Sequence, residues 1–225
     1  MTKIEQIHVK ESLLKVNDYV AQELKKRFAE QGSFVVNLLS SPGSGKTTLL
    51  EASLPELAKE HRVLVLEGDL ETQLDATRIR NAGIDALQIT TGGACHLEAH
   101  QVQQAYEALS PDEPYDFVFI ENVGNLVCPA SYDLGEHIRV VLLSVPEGQD
   151  KPPKYPKAFR SAQAMALTKM DVLEYFDFDV DMAEQLAREI QPDIDILHLS
   201  AKTGDGIPTW IEFLKQRRTE RLAVR

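Results

Sequence analysis

The stretch LLSSPGSGKTT, residues 38–48, constrains this chain more than any other. The apolar run FVVNLL stops abruptly at Ser40, glycines follow, then Lys46, Thr47 and Thr48, and then a helical pattern. Strand, tight loop and helix in that order make a cradle for phosphate. Gly43, Ser44 and Gly45 let backbone N–H groups turn inward, with no Cβ in the way at the glycines. The helix start adds unpaired donors and the positive end of its dipole. Lys46 is placed to reach β- and γ-phosphates, and the Thr47 hydroxyl to ligate Mg²⁺. The strict form of this pattern opens on glycine; here Ser40 stands in that place.

A length of 225 residues allows one large α/β domain, spanning residues 1–225, with a sizeable core. Apolar content of 43% and charged content of 26% are those of a globular protein. A formal net charge of −11 argues against a nucleic-acid backbone as partner. The opening MTKIEQIHVKE has no apolar signal core, and no apolar run is long enough to span a bilayer. The expectation is a soluble, cytoplasmic protein without a membrane partner. The two cysteines, Cys95 and Cys128, are too few for a disulfide scaffold, so they read as thiols or metal ligands.

Periodicity predicts a first helix over residues 11–31, with Leu13, Val16, Val20, Leu24 and Phe28 on one face and Gly32 beyond its end. It is expected to pack across the domain. Further helices are expected over 47–61, with Pro55 a candidate kink, and over 71–81, 96–109 (stopped by Ser110 and Pro111), 182–190 and 207–221. Strands are expected over 34–39, 62–67, 86–90, 117–121, 137–145, 164–168 and 194–200. The polar, proline-rich stretch 146–156 reads as a mobile or partner-facing loop. Alternating strands and helices imply an α/β fold: a mostly parallel sheet with helices on both faces. Ligands then bind at the carboxyl ends of the strands.

The chemically suggestive residues follow strands. Asp69 follows the second; it suits Mg²⁺ held through water, or positioning of an attacking water. Glu121 ends FVFI and can bind Mg²⁺ indirectly, while Gly124, lacking a side chain, can bring its N–H to a γ-phosphate. Lys46, Asp69 and Glu121 are therefore the candidate catalytic residues. Thr168, Lys169 and Asp171 follow the ALT strand, and Ser200, Ala201 and Lys202 follow the next. The Asp171 carboxylate matches guanine's N1–H and exocyclic amine, which adenine lacks, so GTP is the expected nucleotide and a kinase or ATPase is disfavoured. The Lys169 stem can lie along the base, and the Ala201 N–H can meet guanine O6.

Cys95 and His96 are adjacent, His100 lies four residues after His96, and Cys128 follows Gly124 by four. A helix over 96–109 would set His96 and His100 on one face. Thiolate with imidazole suits Ni²⁺, Zn²⁺ or Cu. The spacing is not that of a zinc finger, and small buried cysteines with solvated histidines are an equal reading. His100 and Glu98 are the weaker ligand candidates.

With SSPGSGKTTLL, EGDLETQLDA, TGGACHLEA, IENVGNLVCPA and SVPEGQDKP in hand, the chain resembles the nickel-inserting GTPases of [NiFe]-hydrogenase maturation, the HypB family, over nearly its whole length. That family lies in the signal-recognition-like branch of phosphate-loop GTPases. The resemblance implies a GTPase of slow intrinsic turnover that uses Mg²⁺. It also implies Ni²⁺ or Zn²⁺ held by Cys95, His96 and Cys128 from two subunits, and a homodimer dependent on GTP and metal. A nickel-binding accessory protein and the hydrogenase large subunit are the implied partners. Two departures stand out. TKMD replaces the usual NKxD, and loss of the asparagine amide should weaken the join between base loop and phosphate loop. The cysteine motif or histidine-rich tract that many members carry at the N-terminus is missing, His8 standing alone. In residues 149–157, Lys151, Lys154 and Lys157 are candidates to reach a partner's nucleotide, or are simply solvated. Two other readings are a non-hydrolysing metal-binding module and a urease-type nickel-delivery GTPase. The latter's metal motif is Cys-Pro-His, whereas here Cys128-Pro129 is followed by Ala130.

Overall fold

The computed structural model describes residues 3–69, 74–109 and 113–223, with the first helix as backbone only up to residue 13. In chain order the elements are α1 (Lys3–Gln31), β1 (Phe34–Ser40), α2 (Lys46–Leu57), β2 (Val63–Asp69), α3 (Leu74–Asn81), β3 (Asp85–Thr90), α4 (Ala99–Leu109) and β4 (Phe117–Glu121). Then come β5 (Ile138–Ser144), α5 (Lys151–Lys154), α6 (Pro156–Ser161), β6 (Ala164–Thr168), α7 (Val180–Ile190), β7 (Asp195–His198) and α8 (Ile207–Ala223).

The strands form one seven-stranded sheet, ordered β3-β2-β4-β1-β5-β6-β7. Every pairing is parallel, which gathers all the carboxyl ends on one rim. Central β1 is buried at all seven positions, as a parallel strand covered on both faces must be. Its alternate side chains face opposite layers. Phe34, Val36 and Leu38 pack with Leu50 and Leu54 of α2, Ile79 of α3, and Trp210 and Leu214 of α8. Val35 points to the other face, with Leu24 and Phe28 of α1 and Val102 and Tyr106 of α4. The same face continues under α6 and α7 through Phe159, Ala183 and Ala187. Trp210 is fully buried and stacks on Phe213 with centroids 6.0 Å apart.

A buried polar chain crosses the sheet's centre. Asn122 Nδ2 donates to Asn37 Oδ1, and Asn37 Nδ2 to Glu136 Oε1, both at 3.3 Å. Glu136 Oε1 also receives Arg139 Nε at 2.8 Å, and Arg139 reaches the Tyr132 carbonyl at 2.9 Å. Burial, the largest single influence, pushes the Glu136 carboxyl upward, but the Arg139 charge together with hydrogen bonds from Arg139 and the Leu134 N–H holds the group below its ordinary value.

Four expectations need correction. The inner face of α1 is Asn17, Ala21, Leu24 and Phe28, whereas Val16 is 61% exposed. Asn17 takes the inner position because it has work there: its Oδ1 accepts from Ala99 N at 2.8 Å, capping α4, and its Nδ2 donates to Asp133 O. Second, α4 starts at Ala99, not at His96, because Gln101 Oε1 takes the Glu98 N–H at 2.9 Å and closes a cap there. Third, residues 146–156 are not a loose loop. They form a 3₁₀ turn, α5 and the start of α6, each with proline in its first turn, where the ring suits a helix start. Fourth, α2 carries Pro55 in its last turn and ends at Leu57. The expected helix start at 71, the stop at Ser110 and Pro111, and the Leu13 side chain lie outside the described residues. No described helix is long and apolar enough to cross a membrane.

Candidate functional site: a nucleotide cleft beside a thiol–imidazole group

The phosphate loop runs from β1 into α2. Gly45, at φ +94°, makes the left-handed turn that launches the helix at Lys46. Lys46 Nζ donates to Ser40 Oγ at 2.9 Å, so the residue replacing the pattern's first glycine anchors the lysine. Thr47 Oγ1 donates to Glu121 Oε1 at 2.7 Å. Gly124 approaches the loop so closely that a Cβ there would sit 3.0 Å from Pro42 Cα.

A polar cavity of about 360 Å³ opens beside this loop, lined in part by Thr47, Glu67, Asp69, Asp75 and Glu121. Glu67, Asp75 and Glu121 bring one carboxylate oxygen each within 4.8 Å of one another. Glu67 Oε2 and Glu121 Oε2 are buried without a hydrogen-bond partner. Burial first, then the charges of Glu121, Asp69 and Asp75, push the Glu67 carboxyl up to about 8. Burial likewise raises Glu121, against the pull of Lys46 and Thr47. Crowded oxygen donors with orphaned lone pairs fit a hard divalent cation such as Mg²⁺. Asp69 lines the cavity outside that trio. Glu67 and Asp75 were not singled out in the sequence, though a lone acid closing the apolar run VLVL was the available signal.

A second cavity, about 280 Å³, adjoins the first and is lined by Thr48, Thr168, Lys169, Asp171, Ala201 and Lys202, among others. Ser200 Oγ donates to Asp171 Oδ1 at 2.7 Å, which fixes the carboxylate's orientation. Thr168 Oγ1 donates to Ser44 O, and Lys169 Nζ to Gly43 O, both at 2.7 Å. The join between base loop and phosphate loop, expected to be weak without asparagine, is made by the threonine hydroxyl. A further clasp, missed in the sequence, is Glu147: it accepts from Ser44 Oγ at 2.7 Å and from Ser144 N at 2.9 Å. Burial pushes Glu147 upward, but donors from Ser44, Ser41 and Ser144 prevail and leave it below its ordinary value. The three lysines point elsewhere than the cleft: Lys151 lies 3.9 Å from Glu147 Oε1, Lys154 pairs with Asp150, and Lys157 donates to Ser131 Oγ.

Cys95, His96 and Cys128 come together, one donor atom from each lying within 4.8 Å of the others. Two come from the segment after β3 and one from the loop after β4. All three come together within one chain, and the set is one short of a tetrahedron. Cys95 Sγ lies 3.7 Å from His96 Nδ1. Cys128 beside it, and secondarily burial, push the Cys95 thiol up. The His96 ring stacks on Tyr132 with centroids 4.0 Å apart. Asn125 Nδ2 donates to Cys95 O at 3.3 Å, tying the two thiol-bearing segments together. His100 is not in the group. Because α4 begins at Ala99, His96 lies off the helix and no shared face exists; Glu98 stands between the two rings, 3.7 Å from His96 Nε2 and 3.3 Å from His100 Nδ1. Soft sulfur and nitrogen donors suit Ni²⁺ or Zn²⁺ and not Mg²⁺.

An all-parallel sheet with a lysine-bearing phosphate loop at the carboxyl rim defines a phosphate-loop nucleotide-binding protein. Residues 34–198 match the family model described as "CobW/HypB/UreG, nucleotide-binding domain". The chain belongs to that family. It is 46% identical over 221 residues to the hydrogenase maturation factor HypB of Azotobacter chroococcum mcd 1, covering 97% of this chain and 72% of the relative. It is 44% identical over 217 residues to the hydrogenase/urease maturation factor HypB of Helicobacter pylori (strain J99), covering 95% and 89%. The crystal structure of HypB from Helicobacter pylori in complex with nickel superposes with a TM-score of 0.87 at 44% identity, covering 92% of this chain and 96% of that one. FtsY from Mycoplasma mycoides, at 15% identity and a TM-score of 0.56, shares the fold, over 82% of this chain and 67% of its own.

Proposed function

We propose that this protein is a GTP-hydrolysing metallochaperone that binds nickel or zinc and assists nickel insertion into a [NiFe]-hydrogenase. The observation that carries this reading is the presence on one rim of two chemically opposite sites. One is an oxygen-lined nucleotide cleft; the other is the Cys95–His96–Cys128 group. The loop after β4 serves both, with Gly124 against the phosphate loop and Cys128 among the soft donors. The named relatives support the choice of nickel and hydrogenase.

In this reading Asp171, oriented by Ser200, selects guanine, with Thr168, Lys169, Ala201 and Lys202 around the base. Gly43, Ser44, Gly45, Thr48 and the start of α2 cradle the phosphates, and Lys46 turns from Ser40 to the β- and γ-phosphates. Glu67, Asp75, Glu121 and the Thr47 hydroxyl are the groups that would hold Mg²⁺, which neutralises charge on the phosphates. Asp69 positions the attacking water. Arg78, which lines this cavity, is held by Glu51 and Asp75 and is not assigned as a finger, so in this reading intrinsic turnover is slow, on the order of minutes or longer per GTP. Pairing into a homodimer adds a second copy of the three-donor metal group and completes the coordination. A nickel-binding accessory protein and the hydrogenase large subunit are the proposed partners, in the cytoplasm. The printed name of the Helicobacter relative adds urease as a second recipient to consider.

Linkage supplies the test. If nucleotide state alters metal affinity, metal must alter nucleotide affinity by the same factor. Ni²⁺ affinity measured with bound GDP and with a non-hydrolysable GTP analogue should differ; equal affinities would remove the delivery switch.

A further inference from the structure

We infer that Leu97, seated on Gly68, is the contact through which the nucleotide cleft and the thiol–imidazole group sense each other. This rests on the metallochaperone reading and names the part that carries its coupling. Gly68 lies at the carboxyl end of β2, between Glu67 of the carboxylate trio and Asp69 of the cavity wall. A Cβ at position 68 would lie 2.7 Å from Leu97 Cδ1, 2.8 Å from Cγ and 3.1 Å from Cδ2. The leucine therefore rests directly on the bare backbone of the strand. Leu97 is fully buried and is joined to His96 by a single peptide bond.

The contact has no slack. Close-packed interiors pass a displacement on, because a gap of half an ångström already forfeits much of the contact energy. When a cation and phosphates draw Glu67 toward them, the backbone at Gly68 moves with it. Leu97 must follow or open a void, and His96 goes with Leu97. Thiolate–imidazole coordination tolerates only a few tenths of an ångström before affinity suffers. The route through Gly124 and Cys128 runs along a loop; this one is a direct strand-to-ligand wedge, and the two are separable by mutation.

The measurement uses the full chain. Ni²⁺ affinity is read by competition with a chromophoric chelator, once with GDP and Mg²⁺ and once with a non-hydrolysable GTP analogue and Mg²⁺. The quantity of interest is the ratio of the two dissociation constants. Leu97→Ala should bring that ratio about threefold or more closer to unity, as intermediate residues of a coupling route do. Leu97→Met, which conserves volume, should keep it. Gly68→Ala should alter the ratio, and adding Leu97→Ala to it should recover part of the wild-type value, the new methyl filling the space the leucine left. A purely structural leucine would instead weaken both affinities equally and leave the ratio alone. A wild-type ratio of one overturns the metallochaperone switch and this inference with it. A wild-type ratio far from one that Leu97→Ala leaves unchanged overturns only this inference. Should Leu97→Ala not fold, Leu97→Val and Gly68→Ala decide the matter by the same ratio.

Discussion

Ser40 stands where the phosphate-loop pattern wants glycine, and its hydroxyl receives Lys46 Nζ. A buried lysine needs an acceptor, and the substitution supplies one inside the loop. Lys46→Ala should lower GTP turnover by about 100-fold or more, as loss of a preorganised charge at the transferring phosphoryl group does. Ni²⁺ affinity of the nucleotide-free chain should stay unchanged, which separates the two sites in one variant. Cys128→Ala, by contrast, removes one of the proposed metal donors and should weaken Ni²⁺ binding beyond the roughly 10–100-fold typical of supporting groups, measured by chelator competition. Residues with motif spacing were legible in the sequence: Lys46, Thr47, Glu121, Asp171, Cys95, His96 and Cys128 all lie at the rim. Glu67, Asp75 and Glu147 were not, because each acts through a neighbour that only the folded chain provides.

Strands read from apolar runs were placed well, whereas the start of α1, at Lys3 and not at residue 11, and elements set by local capping were not. β6 spans the expected residues because its pattern and its bounding Thr168 agree. α4 was begun too early because its start is decided by the Gln101 side chain and by Asn17, which is distant in sequence. Residues 146–156 read as a loop because prolines break a helical pattern, whereas here Pro146, Pro152 and Pro156 open three short helical turns. The clasp of base loop on phosphate loop belongs to this scale too. Thr168→Val keeps the side chain's shape and deletes its donation to Ser44 O. It should cost about 1–2 kcal/mol, read as roughly a tenfold loss of GDP affinity by calorimetry.

The molecule as a whole hangs on the polar chain from Asn122 through Asn37 and Glu136 to Arg139, which stitches β4, β1 and β5 on the sheet's buried face. Breaking a buried ion pair leaves a charge uncompensated. Glu136→Ala should therefore destabilise the fold by about 3–5 kcal/mol in urea unfolding. The pH dependence follows from the depressed carboxyl. Its stabilisation is present above the unfolded-chain value, near 4.3, and is lost as pH falls through the lower folded value. Glu136→Gln should lose that acid-side fall.

Trp210, the chain's one tryptophan, is sealed under α8 against Phe213, on the layer opposite α4. Its emission should thus be blue-shifted and indifferent to cargo or guanine nucleotide, changing only when the chain unfolds. Tyr132, lying on the His96 ring, is the natural optical witness of metal capture. One cuvette would follow denaturation and loading as independent colours of light.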